Sequence, residues 1–140
     1  MRVMVFGKAT DDTENGASVT PEAFEAMEKF SEELIRAGVL LDGGGLMPSS
    51  KGKRVAFDGA RRTVIDGPFA ETRELVAGFM IWEVKDMDEA VAWVMRSPSL
   101  GPGPSVTEIR PLGEMAAVEE SPAPETTETH YRIRESHSGA

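Results

Sequence analysis

The sequence contains no cysteine in 140 residues, and both of its histidines, His130 and His137, lie near the C-terminal end. The absence of thiols excludes a disulfide framework, an iron–sulfur cluster, a thiolate metal site and a cysteine nucleophile. Residues 1–129 also contain no imidazole, and zinc sites are built mostly from cysteine and histidine. We therefore expect a protein that works without a metal or another cofactor.

Basic residues are few, and long apolar runs are absent. Lys and Arg number 15 against 24 Asp and Glu, which gives a formal net charge of −9. Phosphate contacts need clustered basic side chains, so this balance argues against nucleic acid and against anionic membranes as partners. No apolar run reaches the about 18 residues of a membrane span, and the run at residues 1–6 is shorter than a signal peptide. We expect a cytoplasmic protein.

The composition divides the chain near residue 113. Residues 1–113 carry 18 acidic and 13 basic side chains, whereas residues 114–140 carry six and two. The second part is rich in Pro, Thr and Glu and shows no apolar periodicity. We predict one folded domain over residues 1–113 and an acidic, flexible tail over residues 114–140.

Strand and helix signals alternate through the first part. The Thr20-Pro21 pair and Asp86 each precede a helical apolar repeat, so they predict N-caps. The Asp58-Gly59 dipeptide predicts a β-hairpin turn. The three glycines at 43–45 break an apolar run and predict a bulge or a close backbone approach. The residues predicted to face inward from the two helices are Phe24, Met27, Phe30, Leu34, Ile35, Met87, Ala90, Val91, Val94 and Met95.

The order of these signals is strand, helix, strand, hairpin, strand, helix, strand. Without the inserted hairpin, this is the βαββαβ pattern of a ferredoxin-like α+β plait. Both helices of a plait cover one face of the antiparallel sheet, so the apolar side chains of the other face need a partner. A second copy related by a two-fold axis meets that need. We predict a homodimer in a dimeric α/β-barrel arrangement.

The nine residues from Asp66 to Glu74 read DGPFAETRE, which resembles the signature of the DGPF group of the YCII-related (YciI-like) family. The resemblance covers residues 1 to about 113 and includes residues 34–46, 83–90 and 106–111. It implies a ferredoxin-like domain that dimerises sheet to sheet. Some members of the family are enzymes with a His–Asp pair in a cleft of the dimeric barrel. That pair does not transfer here, because residues 1–129 lack histidine.

The DGPF stretch also contains the candidate site. Three acids near one turn can supply a general acid or base, and Glu71 and Glu74 are the candidates because a turn gains little from them. The first residues of the stretch have a structural role as an alternative to ligand binding. In that role Asp66 would cap the turn, Gly67 would take a positive φ, and Phe69 would anchor the loop. The predicted ligand-binding residues are Asp66, Phe69, Glu71, Thr72 and Glu74.

Basic residues concentrate on the predicted hairpin. They can draw an anionic ligand toward a cleft, or they can solvate an exposed hairpin and protect its edges. The five residues are Lys51, Lys53, Arg54, Arg61 and Arg62.

Two functions remain open. The first is binding of a small organic molecule in a cleft of the dimer, with metal-free acid–base catalysis as its chemistry. The alternative is a non-enzymatic regulatory or protein-interaction module that engages a protein partner through residues 114–140. The family resemblance links this alternative to extracytoplasmic-function sigma factors, with which DGPF members share gene neighbourhoods.

Overall fold

The architecture is that of a computed structural model, which describes residues 1–99 and 101–113. Its strands are β1 (Arg2–Lys8), β2 (Leu40–Gly45), β3 (Lys53–Asp58), β4 (Arg61–Asp66), β5 (Val76–Glu83) and β6 (Thr107–Pro111). Its helices are α1 (Asp11–Glu14), α2 (Pro21–Arg36) and α3 (Met87–Arg96), with short 3-10 helices at Ser49–Lys51 and Thr72–Glu74. The predicted tail, with His130 and His137, lies outside the described residues.

Four strands form an antiparallel sheet in the order β2-β5-β1-β6, and β3 with β4 forms a separate hairpin. Helix α2 connects β1 to β2 along the chain, and strand β5 lies between these two strands in the sheet. This is the split βαβ arrangement of a ferredoxin-like plait. The α+β fold with an inserted hairpin is confirmed, and the dimeric barrel stays a prediction.

The core lies between one face of the sheet and the two long helices. Strands β1 and β5 contribute Val3, Val5 and Trp82, and α2 contributes Phe30 and Leu34. The Phe30 ring packs edge-on against Trp82, with ring centroids 6.4 Å apart. Because side chains alternate along a strand, the residues between these core positions point to the opposite face, away from α2 and α3.

The prediction that five apolar residues of α2 face inward was wrong for two of them. Phe30 and Leu34 are buried, but Phe24 and Ile35 are 59% and 61% exposed. The apolar arc of α2 is wider than the strip of helix that contacts the sheet, so its margin faces solvent. On α3, Val91 is likewise exposed, as is Met95.

Strand β2 continues through the three glycines at 43–45, where the sequence predicts a bulge or a close backbone approach. A side chain at Gly43 would place its Cβ 3.0 Å from the Phe79 carbonyl oxygen. The lack of a side chain therefore lets β2 approach and pair with β5. This is the close backbone approach that the sequence predicts, whereas the register shift of the strand lies before the glycines, between Leu40 and Asp42.

Both predicted N-caps are confirmed. The Thr20 hydroxyl accepts a hydrogen bond from the Ala23 amide at 3.2 Å, and Asp86 Oδ1 accepts one from the Glu89 amide at 2.9 Å. These contacts satisfy N–H groups that the first turn of a helix leaves without a partner. The chain therefore fixes the starts of α2 and α3 through local interactions.

Replacing the α2 cap tests this local contribution. We expect Thr20→Ala to lower the free energy of unfolding by about 1 kcal/mol, because the Ala23 amide loses its acceptor. Thr20→Ser keeps the hydroxyl and is the matched control, with a change of less than about 0.5 kcal/mol. Urea denaturation measures both values. Equal losses in the two variants would show that the hydroxyl does not stabilise the helix.

Candidate functional site

The face of the four-stranded sheet turned away from α2 and α3, here called the outer face, is apolar at its centre. It carries Met4 and Phe6 from β1 and Phe79 and Ile81 from β5. Met4 lies opposite Ile81, and Phe6 lies opposite Phe79, in the antiparallel register. All four side chains are half-buried. The outer face therefore presents two adjacent cross-strand pairs of large apolar side chains.

Charged side chains of both signs surround this apolar centre in equal number. Two ion pairs cross neighbouring strands, Arg2 with Glu83 at 3.4 Å and Lys8 with Glu108 at 3.5 Å. Opposite charges on one surface let that surface pair with a copy of itself across a two-fold axis. The rim consists of Arg2, Lys8, Arg110, Asp42, Glu83 and Glu108.

One end of the outer face combines aromatic rings with a shielded ion pair. The Lys8 ammonium lies 5.4 Å from the centroid of the Phe6 ring. The side chains of Lys8 and Glu108 are 22% and 34% exposed, so solvent screens them less than a surface pair. Such a site can hold an aromatic ring on Phe6 and Phe79 and an anionic group on Lys8.

Sequence reasoning missed this combination, although part of its signal is visible. Phe6 and Lys8 are two residues apart on a strand, which places them on one face. The sequence gives no sign that Glu108, 100 positions further along the chain, would lie beside Lys8. Only the β1–β6 register brings these two charges together.

The loop of residues 66–75, here called the DGPF loop, reaches the same end of the sheet. The Ala9 amide donates a hydrogen bond to the Leu75 carbonyl oxygen at 2.8 Å. The following residue, Val76, pairs directly with Lys8. The loop thus borders the end of the outer face at which Lys8 and Glu108 lie.

Hydrogen bonds tie the DGPF loop to the turn at residues 49–52. The Gly67 amide donates to the Gly52 carbonyl oxygen at 3.0 Å, and the Phe69 amide donates to Ser49 Oγ at 3.0 Å. Ser49 in turn donates its amide and its hydroxyl to the carboxylate of Glu14 in α1. Ser49 and Glu14 thus position the DGPF loop, and no local sequence pattern indicates this role.

The structural role predicted for Gly67 holds, but the predicted reason was wrong. Gly67 is not among the glycines with positive φ. A Cβ at this position would lie 1.7 Å from the Ser49 carbonyl oxygen. Steric exclusion by the neighbouring turn, rather than a left-handed backbone, therefore requires glycine here.

The predicted site residues share one loop but differ in surroundings. Asp66 pairs with Lys53 across the hairpin instead of capping the turn. Phe69 is half-buried under the Arg54 guanidinium, 3.9 Å from the ring centroid, rather than anchored in the core. Thr72 is half-buried, and Glu71 and Glu74 are exposed. Within residues 1–99 and 101–113, the side chains of these two glutamates form no hydrogen bond or ion pair.

The described residues form neither a cluster of metal ligands nor a membrane-spanning helix. In the part of the chain that the structure describes, no three His, Asp or Glu residues come together as a metal site. No helix there is both long and apolar enough to cross a bilayer.

Comparison with known proteins identifies the class to which this fold and loop belong. Residues 1–116 match the YCII-related domain family. The chain belongs to this family, as the DGPF stretch and its flanking segments predicted. Membership of the DGPF group stays a prediction.

Two individual proteins are similar to the chain. An uncharacterized protein of Rhizobium meliloti (strain 1021) is 31% identical over 86 residues, which are 61% of this chain and 69% of that protein. The solved structure of 5-chloro-2-hydroxyhydroquinone dehydrochlorinase (TftG) from Burkholderia phenoliruptrix AC1100, in complex with 2,5-dihydroxybenzoquinone, aligns at 16% identity and a TM-score of 0.43. That alignment covers 83% of this chain and 98% of the other.

Proposed function

We propose that the protein is a homodimer, paired through the outer face, that binds a small aromatic anion in a cleft beside Lys8. The observation that carries this proposal is the Phe6–Phe79 pair next to the Lys8–Glu108 ion pair. Both pairs lie on the sheet face turned away from α2 and α3. The cleft would form where this end of the outer face meets the partner copy and the DGPF loop.

The dimer follows from the cost of leaving the outer face in water. Burial of apolar surface contributes about 25 cal/mol per Å², so four large side chains favour a partner. The rim has three residues of each charge, which makes the face complementary to itself. A two-fold axis near Met4 and Ile81 would bury the apolar centre and leave the charges at the margin.

The ligand class follows from the chemistry at the Lys8 end. A planar aromatic ring packs well on the Phe6 and Phe79 rings, and a carboxylate or phenolate would accept hydrogen bonds from the Lys8 ammonium. The adjoining DGPF loop would supply polar contacts from Glu71, Thr72 and Glu74. Phe69 and Asp66 would hold that loop in place rather than touch the ligand.

Proton transfer is the chemistry that such a cleft would support. Glu71 and Glu74 would act as the general base or acid, and Lys8 would stabilise negative charge that develops on the ligand. We propose that this chemistry needs no metal and no cofactor. The regulatory alternative depends on residues 114–140, which lie outside the described residues.

Binding of benzoate to the wild type and to Lys8→Met tests the proposal. We expect saturable changes at the amides of Gly7, Lys8 and Phe79 in heteronuclear NMR spectra, and about tenfold weaker binding by Lys8→Met. Methionine retains the stem that packs on Phe6 and removes the charge. Glu108 keeps a basic neighbour in this variant, since Arg110 lies 3.4 Å away.

Two comparisons make the result specific. Lys29→Met removes the same charge from the exposed face of α2 and should bind benzoate as the wild type does. Cyclohexanecarboxylate keeps the carboxylate without the aromatic ring and should bind more weakly than benzoate. Benzoate binding that is absent, or equal in Lys8→Met and Lys29→Met, would overturn the assignment.

A further inference from the structure

We propose that the β3–β4 hairpin of one copy docks against α2 of a second copy. Phe57 would enter a groove between Phe24 and Ile35, and Arg62 would face Glu28. This contact is separate from the pairing of outer faces, because α2 lies on the other face of the sheet.

The hairpin exposes an apolar face that its own domain does not cover. Val55, Val64 and Phe57 lie on the same face of the two strands, and Phe57 and Val64 are 71% and 63% exposed. The Arg62 guanidinium lies on this face, 4.5 Å from the Phe57 ring centroid. An isolated two-stranded hairpin is marginally stable in water, so this face gains from a partner.

The second surface is a groove on α2. The groove is open, has a volume of about 340 Å³, and has exposed apolar side chains at both ends, Phe24 and Ile35. These residues are 11 positions apart, or about 16 Å along the helix, and the hairpin face from Lys53 to Phe57 is about 14 Å long. The groove is lined by Phe24, Met27, Glu28, Ser31, Glu32 and Ile35.

Opposite charges lie on the two surfaces. The exposed hairpin face carries Lys53 and Arg62 with Asp66, a net charge of +1. The groove lining carries Glu28 and Glu32 and no basic residue, a net charge of −2. Glu28 forms no ion pair with another described residue, so it is available to a guanidinium from outside. Both surfaces are exposed within one copy, so a second copy is the partner that carries the complement of each.

A charge exchange tests this contact in the full-length protein. At low salt, about 50 mM NaCl, we expect Arg62→Glu and Glu28→Arg each to weaken self-association about tenfold, because each variant opposes like charges. An equimolar mixture of the two variants restores opposite charges at both contacts and should associate as the wild type does. Sedimentation velocity and native mass spectrometry would measure the association constant and the mixed species.

The controls carry the same charge changes outside the two surfaces. Lys51→Glu lies at the base of the hairpin, and Glu22→Arg lies on α2 away from the groove; both should associate as the wild type does. Failure of the mixture to restore association would overturn the proposal. The proposal would also be overturned if neither single variant changed the association constant. Hydrogen exchange at the amides of the groove should also slow as the protein concentration rises. Exchange that is equally slow at low and high protein concentration would indicate that residues 114–140 of the same chain cover the groove, and would overturn the proposal.

Discussion

Replacing Gly67 with alanine is expected to destabilise the protein by about 3 kcal/mol or more. The added Cβ would lie 1.7 Å from the Ser49 carbonyl oxygen and 3.2 Å from the Gly52 carbonyl oxygen. These are backbone atoms of a turn, so no side-chain rotation relieves the overlap. The DGPF loop would have to separate from the turn, which breaks the hydrogen bonds from the Gly67 and Phe69 amides.

The matched control is Gly45→Ala. A Cβ at Gly45 has no neighbour within 4 Å, and Gly45 is not among the positive-φ residues. We expect its unfolding free energy to change by less than about 0.5 kcal/mol. Urea denaturation measures global stability, and amide exchange at Phe69 reports the loop itself. Equal stability and equal exchange in the two variants would show that the contact between loop and turn does not hold the site.

The largest effect on assembly is expected from Ile81→Lys at the centre of the outer face. Within one copy the new ammonium lies opposite Asp42 in the β2–β5 register, so the fold keeps a compensating charge. In a two-fold dimer, two such lysines would be buried close together. Burial of insufficiently paired charge costs about 3 kcal/mol or more, which weakens the dimer at least about 100-fold.

Light scattering on the full-length protein measures this outcome. At about 500 mM NaCl, where contacts between charged surfaces are screened, the wild type should have twice the mass of one 15.1 kDa chain. Ile81→Lys should have the mass of one chain. Met95→Lys places the same charge on the exposed side of α3 and should leave the dimer intact. A wild type with the mass of one chain would overturn the pairing of outer faces.

These two variants distinguish the contribution of the DGPF loop to ligand binding from the contribution of the dimer. Gly67→Ala acts on the wall of the proposed cleft, and Ile81→Lys acts on the proposed subunit interface. If benzoate binds in a cleft at the subunit interface, both variants should bind benzoate more weakly than the wild type does. If Ile81→Lys produces a monomer that binds benzoate normally, the ligand site is complete within one copy.

Local sequence rules predicted those elements whose stabilising contacts lie within a few residues. Thr20 and Asp86 begin helices because their side chains reach amides three residues ahead. The hairpin forms where the Asp58-Gly59 dipeptide predicts it, but its turn residues are Gly59 and Ala60, with Gly59 at a φ of 59° and Asp58 paired with Arg61. Such contacts depend on neighbours in the chain, so the sequence alone contains the required information.

The helix surfaces show where local rules stop. An apolar spacing indicates that Phe24, Leu34 and Ile35 prefer burial, but not how wide a strip of α2 the sheet can cover. The sheet covers Leu34 and leaves the other two exposed. The exposed remainder is the groove for which we propose a second copy as partner.

By itself, the sequence determined the βαββαβ order, the hairpin, the helix caps, the family and the loop that holds the candidate acids. Only the tertiary structure decided that Lys8 meets Glu108 beside Phe6, and that Gly67 contacts the turn at Ser49. The physical reason is that strand register and loop packing depend on side chains distant in the chain. No local propensity encodes which of those distant residues will meet.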